Sequence, residues 1–278
     1  MNSKKRLPSL VFFGTPEFAR YCLETLLEAG FPVQGVVTAP DRKAGRGKEV
    51  RVSAVKFLAT AKGLPLLQPT NLKDPEFITE LQSLEADVQI VVAFRMLPRV
   101  VWELPELGTI NLHASLLPNF RGAAPINWVL IEGEHKTGVT TFLINEQIDT
   151  GAILKQREIE IAPTDDAGTL HDKLLRLGAP LIVETLKDIY AYLKAIGKAT
   201  PAWEEHVYQY QYDLIFLVTP WRDIYTKDAQ RLETFEQAEM YYPFIKEVYS
   251  KQHKIIEVPQ LNLLERISFI ESYIKSYG

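Results

Sequence analysis

Asn111 and His113 stand two residues apart in Asn111-Leu112-His113-Ala114-Ser115-Leu116-Leu117-Pro118. Downstream, Asn145-Glu146-Gln147-Ile148-Asp149-Thr150-Gly151 brings a carboxylate beside a glycine turn. On an extended strand a spacing of two sends the amide and the imidazole to one face. An amide donor, an imidazole and a carboxylate suffice for acyl transfer: one stabilises an oxyanion, and the others move protons and free an amine. Singly, each residue has a structural reading. Asn favours turns, a His beside a strand is commonly a satisfied core residue, and Asp before Thr-Gly is ordinary turn chemistry. The combination is what points to a site.

The elements that must position these groups read as alternating strands and helices. Residues 10–13 form a short apolar run ended by Gly14-Thr15-Pro16, with Thr15 as N-cap and Pro16 as first helical residue. Helical spacing follows over 17–29 and a strand over 33–38. This β-loop-α-β opening predicts a doubly wound, mainly parallel α/β sheet of Rossmann-like kind. It lacks Gly-x-Gly-x-x-Gly, so no dinucleotide is inferred. Helices are expected over 52–62, 75–84, 100–104 and 127–132, and strands over 64–68, 87–93, 108–112, 137–144 and 152–161. Periodicity over 169–193 is helical, and Pro180 should kink or divide it. Phe94-Arg95-Met96-Leu97-Pro98 follows an apolar strand, where open α/β sheets bind ligands.

Residues 41–51 carry five basic and two acidic side chains with two glycines. Composition allows a solvated flexible loop or a mobile contact for phosphates. The whole chain has a net charge of −4, so contact with a polyanion must rely on such a patch. Cys22 is the one cysteine, which excludes an intrachain disulfide framework and a Cys-rich zinc site. It lies in a helical pattern and reads as a small buried filler. No metal-ligand cluster, signal peptide or membrane-spanning run is visible, and cytoplasmic and monomeric states are the default expectations.

Asn-x-His-x-Ser-Leu-Leu-Pro followed by Phe120-Arg121-Gly122-Ala123-Ala124-Pro125-Ile126 resembles the folate-dependent formyltransferase family, over about residues 10–200. Within it, the likeness is greatest to the branch acting on methionyl initiator tRNA. The resemblance implies 10-formyltetrahydrofolate as donor, the α-amine of methionyl initiator tRNA as acceptor, and no metal. It implies Asn111, His113 and Asp149 as catalytic residues. It further implies Phe94, Arg95, Met96, Leu97, Ser115, Leu116, Leu117, Pro118, Ile144 and Gln147 along the folate, and Arg42, Lys43, Arg46 and Lys48 toward the tRNA acceptor end. Two rival readings use the same residues: formylation of a sugar-nucleotide amine, and a folate-binding protein with impaired catalysis.

Beyond Thr200-Pro201 the composition shifts: residues 205–278 hold nine of the 12 tyrosines, with eight basic and 11 acidic side chains. The connector and basic β-barrel that the resemblance implies are not recognisable there. Strands are expected over 212–218 and 254–258, and helices over 233–249 and 263–273. This stretch resembles the C-terminal part of AAA-type P-loop ATPases, through Tyr212-Asp213-Leu214-Ile215-Phe216-Leu217, Pro220-Trp221, Asp228, Arg231 and Glu265-Arg266. Gly-x-x-x-x-Gly-Lys-Ser/Thr is missing from the 278 residues, so ATP hydrolysis is not expected. The organisation expected is a catalytic domain over 1–204 and a small α/β appendage over 205–278.

Overall fold

The computed structural model describes residues 8–44, 49–195, 212–225, 235–251 and 253–277. Its chain separates into two compact units, one ending at Leu186 and the other holding the described residues from 187 onward. The division lies inside a long helix, and the boundary at 204/205 expected from composition lies outside the described residues.

In the first unit seven strands form one sheet: β1 (Leu10–Gly14), β2 (Val33–Val37), β5 (Leu66–Leu67), β6 (Val88–Val92), β7 (Thr109–His113), β8 (Lys136–Leu143) and β9 (Ile153–Glu160). Their order is β5-β2-β1-β6-β7-β8-β9. Pairing is parallel as far as β7 and antiparallel across β7–β8 and β8–β9. Both β1 and β6 are buried at every residue, as strands covered on two faces must be. Val11, Phe13 and Val91 pack with Phe77 and Leu81 of α3 (Pro75–Ser83) and Val101 of α4 (Arg99–Trp102). Burying each such side chain contributes about 1.5–3 kcal/mol.

Helix α1 (Glu17–Glu28) buries Phe18, Cys22, Leu23 and Leu26. It begins one residue later than the sequence suggests. Pro16 is the N-cap, and its carbonyl accepts the first helical N–H, that of Arg20, at 3.0 Å. Complete burial raises the Cys22 thiol well above its usual range, which suits a filler and not a nucleophile. α2 (Ala54–Ala61) is capped by Ser53, whose hydroxyl accepts the Lys56 N–H at 3.0 Å.

Two expectations are corrected. The basic stretch is not simply a loop: β3 (Arg42–Ala44) and β4 (Glu49–Arg51) pair as an antiparallel hairpin. Three-residue strands interrupted by glycines leave too little alternation to be seen in sequence. Helix α6 (Ala167–Ala195) is also undivided, although Pro180 lies inside it. An interior proline costs about 3 kcal/mol. Leu174, Ala179, Leu181, Ile182 and Leu186 are buried on the same helix and together outweigh that cost. Gly178 lets this helix approach β7 closely, since a Cβ there would meet Leu112 Cδ2 at 2.8 Å.

The second unit contains β10 (Ile215–Val218) and β11 (Ile255–Val258), paired in parallel. Between them runs α7 (Phe235–Ser250), and α8 (Leu263–Tyr277) follows. Glu257 accepts hydrogen bonds from Lys246 and Tyr242, each at 2.5 Å. The Lys246 ammonium and then the Tyr242 hydroxyl hold the Glu257 carboxyl below the usual carboxylate range. The Arg222 guanidinium lies 4.2 Å over the Phe235 ring. Among the described residues, no helix is long and apolar enough to cross a membrane.

Candidate active site

A cavity of about 920 Å³ opens beyond the carboxyl ends of β1, β6 and β7, where open α/β sheets present their ligand sites. Asn111 and His113 line it from β7, and Asp149 from the loop after β8. Register fixes the first two: Val91 of β6 pairs with Asn111 on one side, while Phe142 and Thr140 of β8 pair with Asn111 and His113 on the other. The Asn111 amide faces the cavity and has no protein partner among the described residues.

His113 is buried and held at Nε2, with Asp149 beside its other ring nitrogen. Nε2 lies 2.8 Å from the Phe120 carbonyl oxygen, and Nδ1 lies 3.6 Å from Asp149 Oδ2. A carbonyl only accepts, so Nε2 is a protonated nitrogen, and Nδ1 is the nitrogen turned toward the carboxylate. Asp149 has a positive φ of 51°. That left-handed turn costs roughly 1–3 kcal/mol in a non-glycine residue, and two contacts hold it. Arg121 Nε donates to the Asp149 carbonyl at 2.9 Å, and the Gly122 N–H donates to Oδ2 at 2.7 Å. Asn145 shapes the same loop, its Oδ1 accepting from Gln147 N at 3.1 Å and Thr150 Oγ1 at 3.0 Å. Gly151 is required by space, because a Cβ there would lie 1.6 Å from the Leu143 carbonyl oxygen.

Phe94, Arg95, Met96, Leu97, Ile144 and Gln147 all line the cavity. Phe94 meets Phe13 edge-on at 5.7 Å, and the Arg95 guanidinium donates to the carbonyls of Pro69 and Thr70. Ser115, Leu116, Leu117 and Pro118 are not among the residues that line it. Polar groups on β8 and β9 hold this turn. The Thr140 hydroxyl donates to the Ser115 carbonyl at 2.7 Å, and Gln156 Nε2 donates to the Leu117 carbonyl at 2.8 Å. Leu116 packs over Gly138, where a Cβ would meet its Cδ2 at 2.6 Å. In the basic hairpin only the backbone of Arg42 and Lys43 is described, and Arg46 and Lys48 lie outside the described residues.

Sequence reasoning missed the supporting groups: the Phe120 carbonyl, the Gly122 N–H and the Arg121 side chain. The signal was there in Phe120-Arg121-Gly122, whose glycine adopts a φ of 84° beside a φ of 55° at Phe120. Backbone acceptors leave no trace in residue type, so their roles could not be read. No group of three His, Cys, Asp or Glu among the described residues is placed to hold a metal ion.

A family model described as formyl transferase matches residues 8–186, and one described as AAA domain matches 182–266. The chain is 59% identical over 180 residues to the methionyl-tRNA formyltransferase of Flavobacterium johnsoniae, covering 65% of this chain and 57% of that protein. It is 58% identical over 181 residues to that of Flavobacterium psychrophilum, with the same shares covered. The chain therefore spans little more than half the length of these curated relatives. Among solved structures, phosphoribosylglycinamide formyltransferase from Bacillus halodurans superposes with a TM-score of 0.55 at 22% identity, covering 64% of this chain and 92% of that one. That likeness speaks to the fold alone.

Proposed function

Because the chain belongs to the formyl transferase family, we propose that it transfers a formyl group from 10-formyltetrahydrofolate to the α-amine of methionyl initiator tRNA. The observation that carries this reading is the meeting of Asn111, His113 and Asp149 at one cavity. Its volume of about 920 Å³ suits a ligand of pterin-plus-tail size. Phe94, Leu97 and Ile144 supply apolar surface for the ring, while the Arg95 to Pro98 segment offers backbone groups to its polar edge.

In this reading the Asn111 amide donates to the oxygen that gains charge when the amine adds to the formyl carbon. One such donor is worth roughly 3–4 kcal/mol, about 10² to 10³ in rate. Asp149 takes the proton released by the amine, whose free pKa is near ~8, so a modest base suffices. His113 Nδ1 stands next to that carboxylate and relays the proton to the departing nitrogen. Gly122 and Arg121 keep the carboxylate in place. The basic stretch containing Arg42, Lys43, Arg46 and Lys48 meets the acceptor-end phosphates. The chemistry is assigned to the unit ending at Leu186, with the appendage over 205–278 taking no part in it.

The test offers the purified chain 10-formyltetrahydrofolate with either methionyl initiator tRNA or an amino-sugar nucleotide. Formylation of the tRNA alone supports the reading. Turnover confined to the sugar nucleotide, or tight folate binding with no transfer to either, contradicts it.

A further inference from the structure

Ser115 is completely buried and is not among the residues that line the cavity. Its hydroxyl donates to the Asn119 carbonyl at 2.7 Å and lies 3.4 Å from the Phe120 carbonyl oxygen. That second oxygen is the one that receives the His113 Nε2 proton. We propose that Ser115 is a positioning residue: its hydroxyl holds the Asn119–Phe120 segment so that the Phe120 carbonyl keeps the proton of neutral His113 on Nε2 and leaves Nδ1 free toward Asp149. This rests on the role given to His113 above.

Competition for one proton makes the bracing necessary. A neutral imidazole carries a single N–H. Two acceptors flank the ring, the Phe120 carbonyl at Nε2 and the Asp149 carboxylate at Nδ1. A carboxylate within hydrogen-bond range is the stronger acceptor, so an unbraced site that let the pair close from 3.6 Å would move the proton to Nδ1 and turn the ring into a fixed donor to Asp149. The carbonyl prevails only where its geometry is enforced. Phe120 has a φ of 55°, a conformation that L residues rarely adopt, so its peptide needs a neighbour to hold it.

The hold extends into the sheet. Thr140, which pairs with His113 across β7 and β8, uses its hydroxyl completely. It donates to the Ser115 carbonyl at 2.7 Å and accepts from Leu117 N at 3.2 Å and Gln156 Nε2 at 3.0 Å. A buried network with every member satisfied fixes its parts more firmly than single bonds do. Ser115 is therefore anchored by its backbone to β8 and by its side chain to the segment that sets the His113 tautomer.

Nitrogen-15 labelling of the five histidines, with long-range nitrogen–proton correlation, reads the tautomer directly. The His113 signals are those missing from His113→Asn. The neutral wild-type ring is expected as the Nε2–H form. Ser115→Ala should move most of the population to Nδ1–H and lower kcat about tenfold with the KM for the folate donor unchanged. Ser115→Cys, similar in volume with a weaker donor, should fall between the two and serves if the alanine variant does not fold. A folded Ser115 variant that keeps the wild-type tautomer overturns the proposal, as does a wild-type ring protonated at Nδ1. The spectrum needs no substrate, so a chain that formylates neither acceptor removes the proposed function while leaving this test intact.

Discussion

The Asp149 carboxylate stands 3.6 Å from Nδ1 of His113, and the same Oδ2 accepts the Gly122 N–H at 2.7 Å. A carboxylate oxygen and a ring nitrogen thus stand within reach of one shared proton. The proton transfer proposed for this pair can be tested one residue at a time.

Asp149→Asn keeps an oxygen for the Gly122 N–H but removes the carboxylate proposed as the base. The expected outcome is a fall in kcat of about 10² to 10⁴ with folate binding near wild type. Steady-state kinetics with direct titration of the folate donor checks it. A variant that loses folate affinity and turnover together would mean that Asp149 shapes the cavity only.

Replacing Arg42, Lys43, Arg46 and Lys48 together with alanine should raise the KM for tRNA at least tenfold. For every phosphate that the variant no longer neutralises, the log–log salt slope should fall by roughly 0.7–0.9. The KM for the folate donor should not move. Equal salt slopes for wild type and variant would show that the basic stretch does not touch the phosphates.

Gly151→Ala forces a Cβ into the Leu143 carbonyl, which is backbone and cannot step aside. A loss on the order of 3 kcal/mol is expected in urea unfolding. Activity should fall as well, because the same turn carries Asp149. Unchanged stability would mean that the 145–151 loop relaxes freely.

Stability toward acid has an assignable source at Asp165. The Lys173 ammonium at 2.6 Å, then the Ala162 N–H at 2.8 Å, hold its carboxyl below the usual carboxylate range. A lowered folded pKa contributes stability above the unfolded value near ~3.9 and loses it as pH falls through the folded value. Asp165→Asn should therefore lower Tm at neutral pH, and the difference should shrink as pH drops below about 4. Thermal scans from neutral to strongly acidic pH decide it, and a constant difference would contradict the assignment.

Much of the fold was legible because its central parallel strands are apolar on both faces, β9 alternates, and its helices keep a 3.6-residue period. Asn111 and His113 were readable as a pair because a strand with spacing two admits no other geometry. The direction of the Ser115 to Pro118 turn was not, because it is set by Thr140 and Gln156, residues distant in sequence that act through backbone carbonyls. Helix α6 looked divided because Pro180 is a strong local signal, and local signals yield to a buried face of leucines and isoleucines. The Arg42 to Arg51 hairpin was invisible for the opposite reason, being too short to show any period.

Asn111 bears the central claim most directly, since its amide has no other partner among the described residues. The measurement is single-turnover formyl transfer to methionyl initiator tRNA by Asn111→Ala, beside circular dichroism and folate titration on the same preparation. We expect a rate lower by about 10² to 10³, with fold and folate affinity retained. A wild-type rate in that variant would contradict the account.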